Sequence, residues 1–206
     1  LKGDSAAISA ITLTNSGTAS MTADNKLVLL EDIVGAPATI SNSGSLRVTD
    51  SAADHLLSFT DVSADFSLTN SGTIESAGTR AIYVDMDNTS LLTGDMVVFN
   101  NQSGGSIEAD SETVTFLDVN EQVNFDNSGT IQALTGASAV AFSGVGAHPF
   151  DFNNNAGGTI SSRTANAVVL ADLTDKVTIV NNGVIEVTAG TNALTVWGGD
   201  ETGFTN

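Results

Sequence analysis

Five aspartates follow a recurring apolar run: Asp32, Asp61, Asp85, Asp118 and Asp172. Asp85 and Asp87 stand two residues apart, which puts both carboxylates on one face if the segment is extended. Two chemistries use carboxylates placed in this way. A hard cation such as calcium takes several oxygen ligands, which makes Asp85, Asp87 and Asp118 a candidate metal site. Carboxylates from neighbouring segments can also serve as acid and base in glycoside hydrolysis, or in lyase chemistry on uronates. The competing reading is that these aspartates are solvated turn residues that keep the molecule soluble and discourage pairing of strand edges. Neither the calcium-binding nonapeptide repeat nor the EF-hand loop occurs in the chain.

Other chemistry is thinly supplied. His55 opens an apolar run, and His148 precedes Pro149 in a turn-rich stretch. No serine sits in a nucleophile-elbow motif that either histidine could serve. Cysteine is absent, which excludes disulfides, thiol catalysis and thiolate-bound zinc. Tyr83 and Trp197 are the only tyrosine and tryptophan, whereas sugar-cleaving grooves offer several such platforms. The six basic residues, Lys2, Lys26, Arg47, Arg80, Arg163 and Lys176, are widely spaced, which disfavours a uronate-binding groove. The expectation is therefore a protein that is not an enzyme and carries no cofactor, calcium remaining the open option.

The elements that position these residues are read from a repeat. The pattern apolar-x-Asn followed by Gly occurs at Asn15, Asn42, Asn70, Asn101, Asn127, Asn154 and Asn181. The spacings are 27, 28, 31, 26, 27 and 27 residues, a period of about 28 that lies within the range of solenoids and arrays. Two residues beyond each Gly stands Ala19, Leu46, Ile74, Ile107, Ile131, Ile160 or Ile185, each followed by a polar residue. This is strand alternation. A third apolar run lies between repeats, as in Leu56 to Phe59 and Val114 to Leu117. Turns rich in Asn, Gly, Ser and Asp join the runs, proline occurs only at 37 and 149, and no sustained helical period appears.

Three strands per period of about 28 residues fit one coil of a parallel β-helix, all-β, with about seven coils in a single domain over residues 1–206. A hairpin array is the alternative, but its turns would not need to recur in register. Stacking then makes columns. Leu13, Ile40, Leu68, Phe99, Phe125, Phe152 and Ile179 form an inward apolar column, with three Phe suited to stacking. The seven Asn form a ladder whose amides can bond to backbone or to the next Asn. Glu75, Glu108 and Glu186, with Arg47 and Gln132, make an outward column, read as a solvated or adhesive face. The long interval from Asn70 to Asn101 predicts an extruded loop at 88–94. Gly144 to Pro149 fills the same connection in another coil, so Asn88, Thr89, Ser90 and His148 are the candidate ligand-binding loop residues.

With 24 acidic and 6 basic residues, the formal charge is −18. That argues against nucleic acid, whose phosphates need Lys and Arg, and against docking on anionic lipid. No apolar run reaches the length of a membrane helix, so membrane insertion of this segment is not expected. The chain starts at Leu1 without a leader and reads as a processed piece of a longer protein. Side-by-side association of such rods is repulsive unless salt or divalent cations screen it.

The strings Asn70-Ser71-Gly72-Thr73-Ile74 and Asn127-Ser128-Gly129-Thr130-Ile131 resemble the repeats of bacterial autotransporter passenger domains, as do the looser Asn42-Ser43-Gly44-Ser45-Leu46 and Asn181-Asn182-Gly183-Val184-Ile185. The resemblance spans essentially the whole chain. It implies a right-handed β-helix at the extracellular surface of a Gram-negative bacterium. It also implies an adhesin or adhesin-stalk segment that binds a surface protein or glycan, or its own kind, without catalysis. A polysaccharide lyase or hydrolase on the same scaffold is the alternative. No membrane barrel, protease or esterase module is present in this sequence, so the resemblance is to part of a passenger.

Overall fold

A computed structural model describes residues 10–22, 26–52, 54–86, 96–119, 121–146, 148–174, 176–198 and 202–206. The described chain is all-β and winds into three parallel sheets. The first sheet has eight strands, beginning with Ile11–Asn15, Ala38–Asn42 and Phe66–Asn70 and ending with Val177–Asn181 and Thr202–Thr205. The second has seven, from Thr18–Met21 through Thr73–Ser76 and Ser106–Ala109 to Val184–Val187. The third also has seven, from Val28–Val34 through His55–Ser63, Arg80–Asp85 and Glu112–Leu117 to Leu194–Gly198. Each strand pairs with its counterpart one coil away, so successive coils form a β-solenoid of about six turns. That is slightly fewer than the seven coils expected, because seven repeats bound only six intervals.

The register is the one the repeat demands. Asn15 pairs with Asn42, Asn42 with Asn70, Asn70 with Asn101, and so on to Asn181. Alternation then decides which side chains enter the core. In Phe66–Asn70 the odd member of each pair is half-exposed while Phe66, Leu68 and Asn70 are buried. Phe99, Phe125 and Phe152 stack with their rings near parallel and centroids 4.7 and 4.6 Å apart. Phe116 and Phe142 form a second stack at 4.6 Å in the third sheet. The two stacks meet edge-on, Phe99 on Phe116 at 6.1 Å and Phe125 on Phe142 at 5.8 Å. Each geometry suits the ring quadrupole.

The repeat glycines are required by the closeness of the coils. A Cβ on Gly72 would lie 2.1 Å from the Gly44 carbonyl oxygen, and one on Gly129 would lie 2.2 Å from that of Gly105. Neither residue has a positive φ, so the demand is for space between coils and not for a left-handed backbone. Left-handed backbone occurs elsewhere. Asp61, Asp118 and Asp172 have φ of 55°, 50° and 55°. Asp61 and Asp172 lie within the third-sheet strands His55–Ser63 and Val168–Leu173, where the pairing skips a residue, while Asp118 follows Glu112–Leu117 as Gly144, at φ 70°, follows Val140–Ser143. Asp is among the few residues besides Gly that accept this region.

Candidate functional site

The Asn ladder is a continuous chain of side-chain hydrogen bonds. Each Nδ2 donates to the Oδ1 of the next coil's Asn: Asn15 to Asn42 at 2.7 Å, Asn42 to Asn70 at 2.7 Å, and Asn70 to Asn101 at 2.9 Å. It continues from Asn101 to Asn127 at 2.9 Å, Asn127 to Asn154 at 2.8 Å and Asn154 to Asn181 at 2.8 Å. Asn181 donates in turn to Asn206 at 2.6 Å, so the ladder outruns the repeat by one member. Asn42 through Asn154 are buried. The ladder therefore holds the corner together and is closed to a ligand.

The most densely built polar cluster lies on the third sheet, where three coils contribute. His55 and Arg80 stand on neighbouring strands, and Arg80 pairs in register with Glu112. Arg80 Nη1 is 3.1 Å from His55 Nε2, and Arg80 Nε donates to Glu112 Oε2. A guanidinium can only donate, so Nε2 carries a lone pair and the ring proton sits on Nδ1. Asp54 Oδ2 lies 3.1 Å from that Nδ1 but out of line for a hydrogen bond. The Arg80 guanidinium also caps the Tyr83 ring at 5.3 Å, and the His55 ring lies 4.5 Å from it. Tyr83 donates to Asp85 Oδ2 at 3.1 Å. Burial lowers the His55 pKa to about 4, with Arg80 and Lys26 pushing the same way against Asp54 and Glu112. Burial, the Asp85 charge and its hydrogen bond raise Tyr83 to about 12. The Arg80 guanidinium and the His55 ring thus cover part of the Tyr83 ring. The cluster is a brace between coils, and sequence spacing alone could not show it, because its members lie 25 and 32 residues apart.

The expected metal positions are dispersed in role. Asp85 accepts from Tyr83, while Asp118 occupies a left-handed corner, and Asp85 pairs in register with Leu117 and not with Asp118. Asp87 lies outside the described residues, as do Asn88, Thr89 and Ser90. Among the described residues no three His, Cys, Asp or Glu side chains converge to hold a metal. His148 is half-buried, and its backbone N–H donates to Gly146 at 2.9 Å. Val145 in the same connection is buried and Gly146 N donates to the Val119 carbonyl, so this part follows its neighbouring coil and does not project.

Two outer faces are broad. On the second sheet, Arg47 pairs with Glu75 at 2.8 Å. Glu108 has its pKa raised by burial and by the charges of Glu75 and Asp110. Farther along, Ser161 stands between Gln132 and Glu186, and its small side chain leaves a shallow depression of about 180 Å³ flanked by Arg163. On the first sheet the outward positions form two columns of short side chains. One runs Thr12, Thr39, Ser67, Val98, Asn124, Asp151, Thr178. The other runs Thr14, Ser41, Thr69, Asn100, Asp126, Asn153, Val180. Strands about 4.8 Å apart and columns about 6.6 Å apart make this face a regular grid. Among the described residues of these two columns the charges are Asp126 and Asp151, in a chain of net charge −18.

No protein-family model matches the chain, and no curated protein or solved structure does.

Proposed function

We propose that the chain is an adhesin or adhesin-stalk segment of a secreted, autotransporter-like passenger, mediating attachment or cell–cell aggregation at a bacterial surface without catalysis. The observation that carries this reading is the outer face of the first sheet. It is long, regular and set with short polar side chains, which suits contact along a surface more than enclosure of a small substrate. The repeat strings around Asn70 and Asn127 support the passenger reading. The polar faces of the rod would meet a surface protein, a glycan or a second rod. The test is incubation of purified protein with a panel of polysaccharides and matrix proteins, with and without calcium, scored for both retention and polymer cleavage. Retention without cleavage is expected. Cleavage of any polymer would overturn the reading in favour of an enzyme.

A further inference from the structure

We infer that Asn182 and Gly183 form a self-modifying site, at which the Asn182 side chain loses its amide nitrogen to attack by the backbone and the chain gains a carboxylate. The chemistry needs only water and is independent of what the rod binds.

Asn-Gly occurs once in the chain, at Asn182-Gly183. Asn182 belongs to the column that directly follows the ladder, where the backbone N–H donates to the ladder carbonyl of the coil before, as Ser43 does to Asn15 and Ser71 to Asn42, both at 2.8 Å. Ser43 and Ser71 are exposed although coils flank them on both sides, so this position meets water along the rod as well as near its end. The Gly that follows differs between coils. Gly44 and Gly72 N–H each donate to the same ladder carbonyl at 3.2 Å. Where the coil before carries its Gly four residues after the Asn, as at Gly105 and Gly158, that bond is lost. Ser128 and Asn182 keep their bonds at 2.7 Å, and Thr130 and Val184 keep theirs at 2.9 and 2.8 Å. Between them the N–H of Gly129 and of Gly183 meets no acceptor among the described residues. Asn155, the other Asn of the column, is followed by Ala156, and its Nδ2 donates to Ser128 Oγ at 3.3 Å. The Asn182 side chain is exposed and bonds to nothing among the described residues. Asn182-Gly183 alone combines an outward Asn, a Gly after it and a free N–H on that Gly.

The step balances with water as the co-reactant. Gly183 N loses its proton and attacks Asn182 Cγ. The Cγ–Nδ2 bond breaks, the amide nitrogen leaves as ammonia, and a succinimide ring closes. Gly has no Cβ to crowd that closure. Water then opens the ring at one of its two carbonyls. Opening at the side-chain carbonyl gives aspartate at 182. Opening at the main-chain carbonyl gives isoaspartate, with the backbone running through the former side chain. Either product adds one negative charge to a chain already at −18. Isoaspartate also adds one carbon to the backbone between Asn181 and Gly183. The corner has no slack for it. The bonds of Asn182 to Asn154 and of Val184 to Gly158 fix the register, and a Cβ on Gly183 would already lie 2.3 Å from the Gly158 carbonyl oxygen. This corner therefore loosens as the molecule ages, while the Ser-Gly corners hold.

The test holds the folded chain in warm, mildly alkaline buffer made with water enriched in heavy oxygen, then maps its peptides by mass spectrometry. Conversion of Asn182 with uptake of one solvent oxygen is expected, with Asn155 unchanged. Asn182 converting no faster than Asn155 would overturn the inference. Two variants isolate the part played by the N–H. Ser128→Asn and Ser71→Asn each place Asn ahead of a repeat Gly, one whose N–H is free at Gly129 and one whose N–H is bonded at Gly72. S128N should convert at its new residue about fivefold faster than S71N, the factor an ordinary hydrogen bond supplies. Equal rates would refute the role given to the free N–H. Amide exchange at Val184 should quicken in the converted parent and stay constant in Asn182→Ser, which copies the Ser128 coil. Unchanged exchange in the converted parent would overturn the loosening of the corner.

Discussion

Asn127 offers the sharpest test of the ladder, because its amide is buried and acts in both directions. Its Oδ1 accepts from Asn101 Nδ2 at 2.9 Å, and its Nδ2 donates to Asn154 Oδ1 at 2.8 Å. The same Nδ2 faces the Gly129 and Thr159 carbonyls at 3.2 and 3.4 Å. Asn127→Ala removes both links. Asn101 Nδ2 keeps the Thr130 carbonyl at 3.2 Å, but Asn154 Oδ1 loses its donor. One buried acceptor left unpaired costs about 1–3 kcal/mol. Asn127→Asp is nearly isosteric yet should be worse. Its carboxylate still accepts from Asn101, but its other oxygen is driven against three acceptors in a buried site. An excess loss of about 2 kcal/mol or more over the alanine variant is expected at neutral pH. Protonation relieves it, so the folded pKa of the new Asp lies above its unfolded value of about 3.9. The stability of N127D relative to N127A is then fully restored below that unfolded value and lost as pH rises through the folded one. Urea titrations of parent, N127A and N127D, followed by far-ultraviolet circular dichroism at neutral and acid pH, supply the numbers. N127D matching N127A at every pH would refute the directional ladder.

Three further outcomes follow from the geometry. Gly72→Ala should lose about 1–3 kcal/mol, since its Cβ would press on the Gly44 carbonyl, whereas Gly17→Ala, with nothing within 4 Å, should be tolerated; paired thermal melts check this. Asp118→Gly should stay near the parent and Asp118→Ala should lose about 1 kcal/mol, because only the backbone at φ 50° is at issue; a calcium-dependent melting shift lost in D118G would instead make the carboxylate a ligand. Because burial holds His55 near 4 against 6.5, its neutral ring stabilises the fold fully above about pH 6.5, and that contribution, about 1–3 kcal/mol, is lost as pH falls toward 4. Denaturant melts of parent and His55→Gln between pH 7 and 4 should show the shallower slope in the variant.

The architecture was legible because stacking sets each residue against its equivalent one coil away. That is why the Asn spacings, the Phe99–Phe125–Phe152 column and the alternation around Ile74 and Ile131 all carry the same period. Features that break or cross the period were not legible. The His55–Arg80–Glu112 brace joins three coils through residues of different type, and only the register brings them together. The second Phe stack at 116 and 142 was hidden among mixed apolar columns. Asp61, Asp118 and Asp172 belong to the aspartate series that follows the third apolar run, and what they share is a left-handed backbone, which no side-chain pattern announces. In two coils the repeat Gly comes four residues after its Asn, because a tight turn is inserted. Gly105 N donates to the Gln102 carbonyl at 2.9 Å with φ 86° at Gly104, and Gly158 with Gly157 repeats it.

The ladder has a direction. From Asn15 to Asn206 every amide donates toward the C-terminal side, so the side-chain dipoles add head to tail and each bond polarises the next. A single flipped amide would break the bonds on both its sides, which ties the orientation of each member to that of all the others. Under a pull along the rod, the coil interfaces bear the load in series, and the weakest of them sets the force at which the rod parts.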